Sequence, residues 1–367
     1  MFLLGLLLPL VYIPTLTGFM VLTGWCVLSC ALPFFFLRGV RMGPGHWLGI
    51  AFLAYACVAE AWAPVAVQGV WDLLLMGCCA GLFMLGAAYD LKPFYIGLAW
   101  GIGINTVVGL VQHFGWNLVV GDPGTFHGLF FNPDMLGESA VLTTVALLAI
   151  GCWRYLPLTV LPIYMTGTRA GLVALGAACA LWLWNSYRWR GVIALAILAL
   201  IASPVIFHKG WDGSISLRVA MWRDTIDGFT LFGHGPGSFF MLYPEYASRT
   251  DTMFTRPEDP HNDFLGFIFQ YGVGCLPLAG LLGLALCQRT AERYILVAFL
   301  AISFFSFPWR IPSEAALGMV ALGACCRPWT MVWPQWLTRR PTIWAWICRA
   351  SIPNIPMESL HPHPARV

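Results

Sequence analysis

Apolar runs about as long as a membrane is thick recur along this chain of 367 residues, broken by short polar connections and one long polar stretch. A helix rises about 1.5 Å per residue, so roughly 20 apolar residues cross the hydrocarbon core. Counted this way, spans fall at residues 2–17, 19–37, 46–63, 67–88, 94–114, 134–153, 155–166, 170–186, 191–207, 262–286, 292–308 and 312–326. The seventh of these is too short to cross alone, so its boundaries or its neighbours' shift by several residues. The pattern predicts an all-α polytopic membrane protein with about 12 transmembrane helices and one long outer loop.

Composition agrees: 59% of residues are hydrophobic, 10% are charged and the mean hydropathy is +0.74, outside the range of a soluble domain. A net charge of only +3 gives no reason to expect a nucleic-acid partner. The apolar N-terminus MFLLGLLLPLVYIP lacks a basic leader and a small-residue cleavage site, so it reads as a retained first span. Cysteines 26, 30, 57, 78, 79, 179 and 275 lie in apolar runs and none lies in the long polar stretch, which argues against a disulfide framework. Zinc spacing is absent as well.

Basic residues in short connections set the orientation. Arg38 and Arg41, Lys92, Arg154, Arg188 and Arg190, and Arg289 with Arg293 occupy alternate loops, which places both termini in the cytoplasm. The other short loops carry only Arg169 and Arg310, on the outer side with the long loop. The expected organisation is a transmembrane catalytic domain over residues 1–326, with its outer loop at about 208–261, and a Trp/Arg-rich tail over 327–367 lying along the cytoplasmic surface. His361 and His363 in that tail read as a frayed terminus rather than a metal site.

The stretch from Ser214 to Gly274 carries the chemistry. It gathers Arg218, Arg223, His234, Arg249, Arg256 and His261 in water-accessible sequence, with GHGPGSF as a glycine turn and PHNDFL as a helix start. Guanidinium forks match phosphate oxygens, so cations converging outside a membrane suggest an anionic ligand, and a lipid diphosphate fits an interfacial site. Arg169, in MTGTRAGLVAL, sits at the outer mouth of a helix, where it either faces an anion or snorkels to headgroups. Arg218 and Trp222 lie four apart and share a helix face that either aims at a site or lies on the membrane, while Arg223 points elsewhere. His261, beside Asn262 and fixed by Pro260, is placed to deprotonate a hydroxyl or simply to hydrogen-bond at the interface.

GHGPGSF offers backbone amides to an anion but lacks the lysine and hydroxyl of a nucleotide loop. Asp251, Glu258, Asp259 and Asp263 show no divalent-metal spacing, so neither a metal nor any other cofactor is expected. Glu60, Asp72, Asn105 and Glu138 lie in or near apolar runs, where polar groups are functional candidates by default; for Asn105 helix pairing is the preferred reading.

Four segments in order, HGLFFNPDMLGESAVL, MTGTRAGLVAL, RVAMWRDTIDGFTLFGHGPGSF and HNDFLGFIFQYGVGCLPL, resemble the superfamily of bacterial O-antigen ligases and O-antigen polymerases, over about His127 to Leu278. The resemblance implies a metal-independent glycosyltransferase of the GT-C type in the bacterial inner membrane, its active site facing the periplasm. It implies an undecaprenyl-diphosphate-linked glycan as donor and a lipid A core sugar or a growing glycan as acceptor, with membrane lipids as surroundings. By the same resemblance Arg169 and Arg218 hold the donor diphosphate and His261 is the catalytic base; Arg223, Asn262 and Trp222 are expected to bind substrate beside them. The chain departs from the family pattern where an acidic residue often precedes the glycine pair: here stand Gln270 and Tyr271.

The leading expectation is a ligase passing a finished glycan to a lipid A core sugar by inverting displacement. The polymerase that joins repeat units on the lipid carrier uses the same donor. An anion transporter, the alternative from another class, requires charges near the membrane midplane.

Overall fold

The computed structural model describes residues 1–10, 42–116, 125–130, 132–191, 193, 196, 213–249 and 257–327. The expected span at 19–37, the second part of that at 2–17, most of that at 191–207, and the tail beyond Arg327 lie outside the described residues, as do Arg38, Arg41, Asp251, Arg256, His361 and His363. Every regular element among the described residues is helical: α1 (Phe2–Leu7), α2 (Pro44–Ala59), α3 (Ala66–Ala88), α4 (Lys92–His113), α5 (Pro133–Ala149), α6 (Pro157–Thr166), α7 (Arg169–Tyr187), α8 (Gly213–Asp227), α9 (Ser238–Tyr246), α10 (Asp263–Tyr271), α11 (Leu276–Cys287), α12 (Glu292–Ser303) and α13 (Pro312–Cys325).

Four helical stretches are long and apolar enough to cross a membrane: α3, α4, α7, and the 25 residues Asp263–Cys287 in which α10 and α11 join through the 3-10 turn Gly272–Cys275. The molecule is thus a multi-pass membrane protein, with four such spans among the described residues where the sequence pattern predicts about twelve. Part of the difference lies in the expected spans that fall outside the described residues, and part arises because several apolar runs do not form unbroken helices. The run at 134–153 ends its helix at Ala149, ahead of the left-handed Gly151, and the runs at 292–308 and 312–326 yield helices of 12 and 14 residues separated by Pro308 and Pro312. The run at 155–166, already too short, forms the ten-residue α6.

Helix α13 is buried along its whole length and packs against α3, α5 and α12. Its approach to α3 is reciprocal: a Cβ at Gly86 would strike the Val320 carbonyl, and one at Gly323 would strike the Phe83 carbonyl. Small residues let two backbones meet where lipid gives no hydrophobic drive to associate. Asn105 ties α4 to the N-terminal segment, donating to the Pro9 carbonyl at 3.0 Å and accepting from Leu129 N at 2.8 Å, which is the helix-pairing role expected for it.

Candidate active site

The described part of the long polar stretch has α8 and α9 as its regular elements, and both pack against α10. Asp224 clamps the two, its Oδ2 accepting from the Tyr243 hydroxyl at 3.0 Å and from Ser248 N at 3.1 Å, while Met221, Phe239, Tyr243 and Phe269 close an apolar cluster beneath. The glycine turn is docked rather than open. Gly237 N donates to Gln270 Oε1 at 2.7 Å and to Asp72 Oδ2 at 3.0 Å, and Gly235 N donates to the Gln270 carbonyl at 2.9 Å. These amides therefore serve the fold, and Gln270 receives two of them, one at its side chain and one at its carbonyl. His234 is likewise held, its Nε2 2.7 Å from the Gly228 carbonyl and its ring 4.5 Å from that of Phe269.

His261 sits in the turn that opens α10. Asn262 caps that helix, accepting from Leu265 N at 3.1 Å, and Asp259 Oδ1 accepts from His261 N at 2.8 Å. The residue itself is left-handed, with φ 51°. Outside glycine such a backbone costs about 1–3 kcal/mol and persists only where neighbours over-determine it, and such strain clusters at functional sites. The Phe307 ring lies 5.2 Å from the imidazole. Burial pushes the imidazole below its ordinary pKa; the Asp259 carboxylate raises it and the Arg218 guanidinium lowers it further.

Arg218 and Trp222 share one face of α8, as their spacing predicts. Trp222 donates from Nε1 to the Pro260 carbonyl at 2.9 Å and packs on Phe304 and Phe305, bracing the histidine turn. Arg218 donates from Nη1 to the Phe305 carbonyl at 3.1 Å and lies within electrostatic range of both His261 and Glu138. Arg223 is exposed on the same helix. Arg169 is the first residue of α7, whose N-cap Thr168 accepts from Gly171 N at 3.3 Å. That helix mouth abuts α5 at Gly137, where an added Cβ would strike the Thr166 and Thr168 side chains. Glu138 is the next residue along.

Helices α5 and α13 bring a second carboxylate to Glu138. Glu314 is fully buried, its Oε1 accepts from Ser139 Oγ at 3.1 Å, and Ser139 Oγ lies 2.7 Å from Ser313 Oγ. The Oε2 of each glutamate is buried without a hydrogen-bond partner. Glu314 carries the same signal as Glu138, an acid in an apolar run, yet sequence reasoning singled out only one of them. Arg310 was legible too, as a cation against the positive-inside bias; it pairs with Asp72 at 3.5 Å.

The arrangement therefore sets a cation, Arg218, near a half-buried imidazole at the mouth of a helical bundle, which suits withdrawal of a proton next to an anionic group. Among the described residues no group of three or more His, Cys, Asp or Glu side chains is arranged to hold a metal ion. Residues 155–276 match the family model described as O-antigen ligase, a match that takes in Arg169, Arg218 and His261. No curated protein matches the chain.

Proposed function

We propose, from the match of residues 155–276 to the O-antigen ligase family model, that this multi-pass protein is a glycosyltransferase that moves a glycan from undecaprenyl diphosphate to a hydroxyl of a lipid A core sugar. The transfer takes place on the periplasmic face of the inner membrane, with both chain termini in the cytoplasm. The observation that carries the reading is the convergence of Arg218 and His261.

In this mechanism His261 removes the proton from the acceptor hydroxyl. The oxygen attacks the anomeric carbon from the face opposite the diphosphate, the glycosidic bond forms as the carbon–oxygen bond to the diphosphate breaks, and the centre inverts. Undecaprenyl diphosphate leaves with the bonding pair. Arg218 and Arg169 neutralise the charge that grows on it, the electrostatic role that positioned donors fill most effectively, and no metal is called on. Trp222 and Asn262 hold the histidine turn, and Arg223 contributes on the exposed side of α8. The imidazolium then returns its proton to solvent or to the departing phosphate.

The test is complementation in two Gram-negative strains with matching glycans, one lacking its ligase and the other its polymerase, with extracted lipopolysaccharide resolved on a gel. Glycan on lipid A core in the first strain alone is the expected result. A restored ladder of lengths in the second alone would assign repeat-unit polymerisation instead, and rescue of neither would favour a transporter or a different acceptor.

A further inference from the structure

Arg310 ends the 3-10 turn Pro308–Arg310 and faces an acidic neighbourhood built from two other parts of the chain. Its Nη2 lies 3.5 Å from Asp72 Oδ2 of α3, and Asp259, Glu258 and Asp263 of the histidine turn complete the set. Burial works against its charge, but these carboxylates together outweigh that penalty, so the guanidinium stays fully charged. The turn carrying Arg310 and the histidine turn are joined directly in two places: Asp263 Oδ2 accepts from Trp309 N at 3.4 Å, and the Phe307 ring lies 5.2 Å from the imidazole. Asp72 is itself anchored by Gly237 N, so the grip reaches back to the docked glycine turn.

We propose that Arg310 is a positioning residue for His261: paired with Asp72 and drawn by charge to the acidic turn from Glu258 to Asp263, which Trp309 N beside it bonds directly, it holds the left-handed histidine in place for proton transfer. The inference rests on the glycosyltransfer reading for its catalytic meaning, though not for its test. A second diphosphate-binding cation is the natural rival. Arg310 suits that role poorly, because its one positive charge already faces four carboxyl groups, whereas Arg218 is bonded to a backbone carbonyl and lies within electrostatic range of Glu138.

The sign of the effect on His261 follows from the groups around it. The charged groups facing the imidazole are Asp259 of its own turn and Arg218 of α8; Arg218 in turn faces Glu138 of α5, and Phe307 carries no charge. Asp259 favours the imidazolium. Arg310 offsets part of that carboxylate's field, so its removal leaves His261 protonated to higher pH.

The experiment uses the full-length protein in nanodiscs and follows carbethoxylation of His261 by diethylpyrocarbonate across pH, read by peptide mass spectrometry, because only the neutral imidazole reacts. Steady-state transfer from the lipid-linked donor is measured alongside. In Arg310→Gln the midpoint of His261 labelling moves up by about half a pH unit, kcat falls on the order of tenfold or more, and KM for the donor stays within about twofold. Arg310→Lys keeps the charge and leaves the midpoint near that of the wild type. Asp259→Asn moves it down, and this variant decides the question should Arg310→Gln fail to accumulate. A midpoint unmoved in Arg310→Gln, a raised KM at unchanged kcat, or a midpoint unmoved or raised in Asp259→Asn overturns the proposal. Because labelling needs no turnover, a wild-type chain that transfers no glycan would sink the function reading while the labelling still judges Arg310.

Discussion

His261 has two jobs to reconcile: it is strained in its backbone and must still exchange a proton. Burial and Arg218 lower its pKa, so the neutral, proton-accepting form prevails at neutral pH. Transfer should therefore rise with pH along an acid limb centred below the ordinary histidine value of about 6.5; a kcat profile with its limb at or above that value would assign the limb to another group. His261→Ala should lower transfer by about 10²–10⁴-fold, and Arg218→Ala or Arg169→Ala by about 10²–10³-fold, each with normal amounts of protein in the membrane. Full activity in any one variant would remove that residue from the site. The PHNDFL signature and the four-residue spacing of Arg218 and Trp222 made these side chains legible. The Arg310–Asp72 pair was not, because it joins residues far apart in the chain and neither one's neighbours in sequence hint at the other.

Helix against helix, the closest contact is that of α3 with α13, made possible by Gly86 and Gly323. Gly323→Val should force the two backbones apart at a cost of about 1–3 kcal/mol or more, seen as a lower thermal midpoint in detergent and less protein in the membrane. Gly77→Ala, on the same α3 where an added Cβ meets nothing within 4 Å, should be neutral or stabilising by up to about 1 kcal/mol. Equal effects at the two positions would contradict the packing described. Nothing in the sequence told these glycines apart, since a glycine in an apolar run reads the same whether it faces a helix or a lipid tail. The helix starts were better signposted. Asn132, Thr168 and Asn262 each cap the helix that follows, accepting a backbone amide as their residue types predict.

For the molecule as a whole, the alternation of basic loops predicts that the histidine turn and the long loop lie outside. In a background with native cysteines replaced by serine, Ser248→Cys should react with a membrane-impermeant thiol reagent in intact spheroplasts, and Asp90→Cys only after lysis. The reverse pattern would invert the topology. What the sequence alone determined is the membrane class, the helical architecture and the residue types of the site, because hydrophobic run length, caps and charge bias are local properties of the chain. Tertiary structure alone decided which apolar runs stay whole as spans, which glycines serve contact, that the glycine turn's amides belong to Asp72 and Gln270, and that Glu314 and Arg310 join the site. Each of these depends on groups brought together from distant parts of the chain, where burial and charge are set by neighbours that no local pattern records.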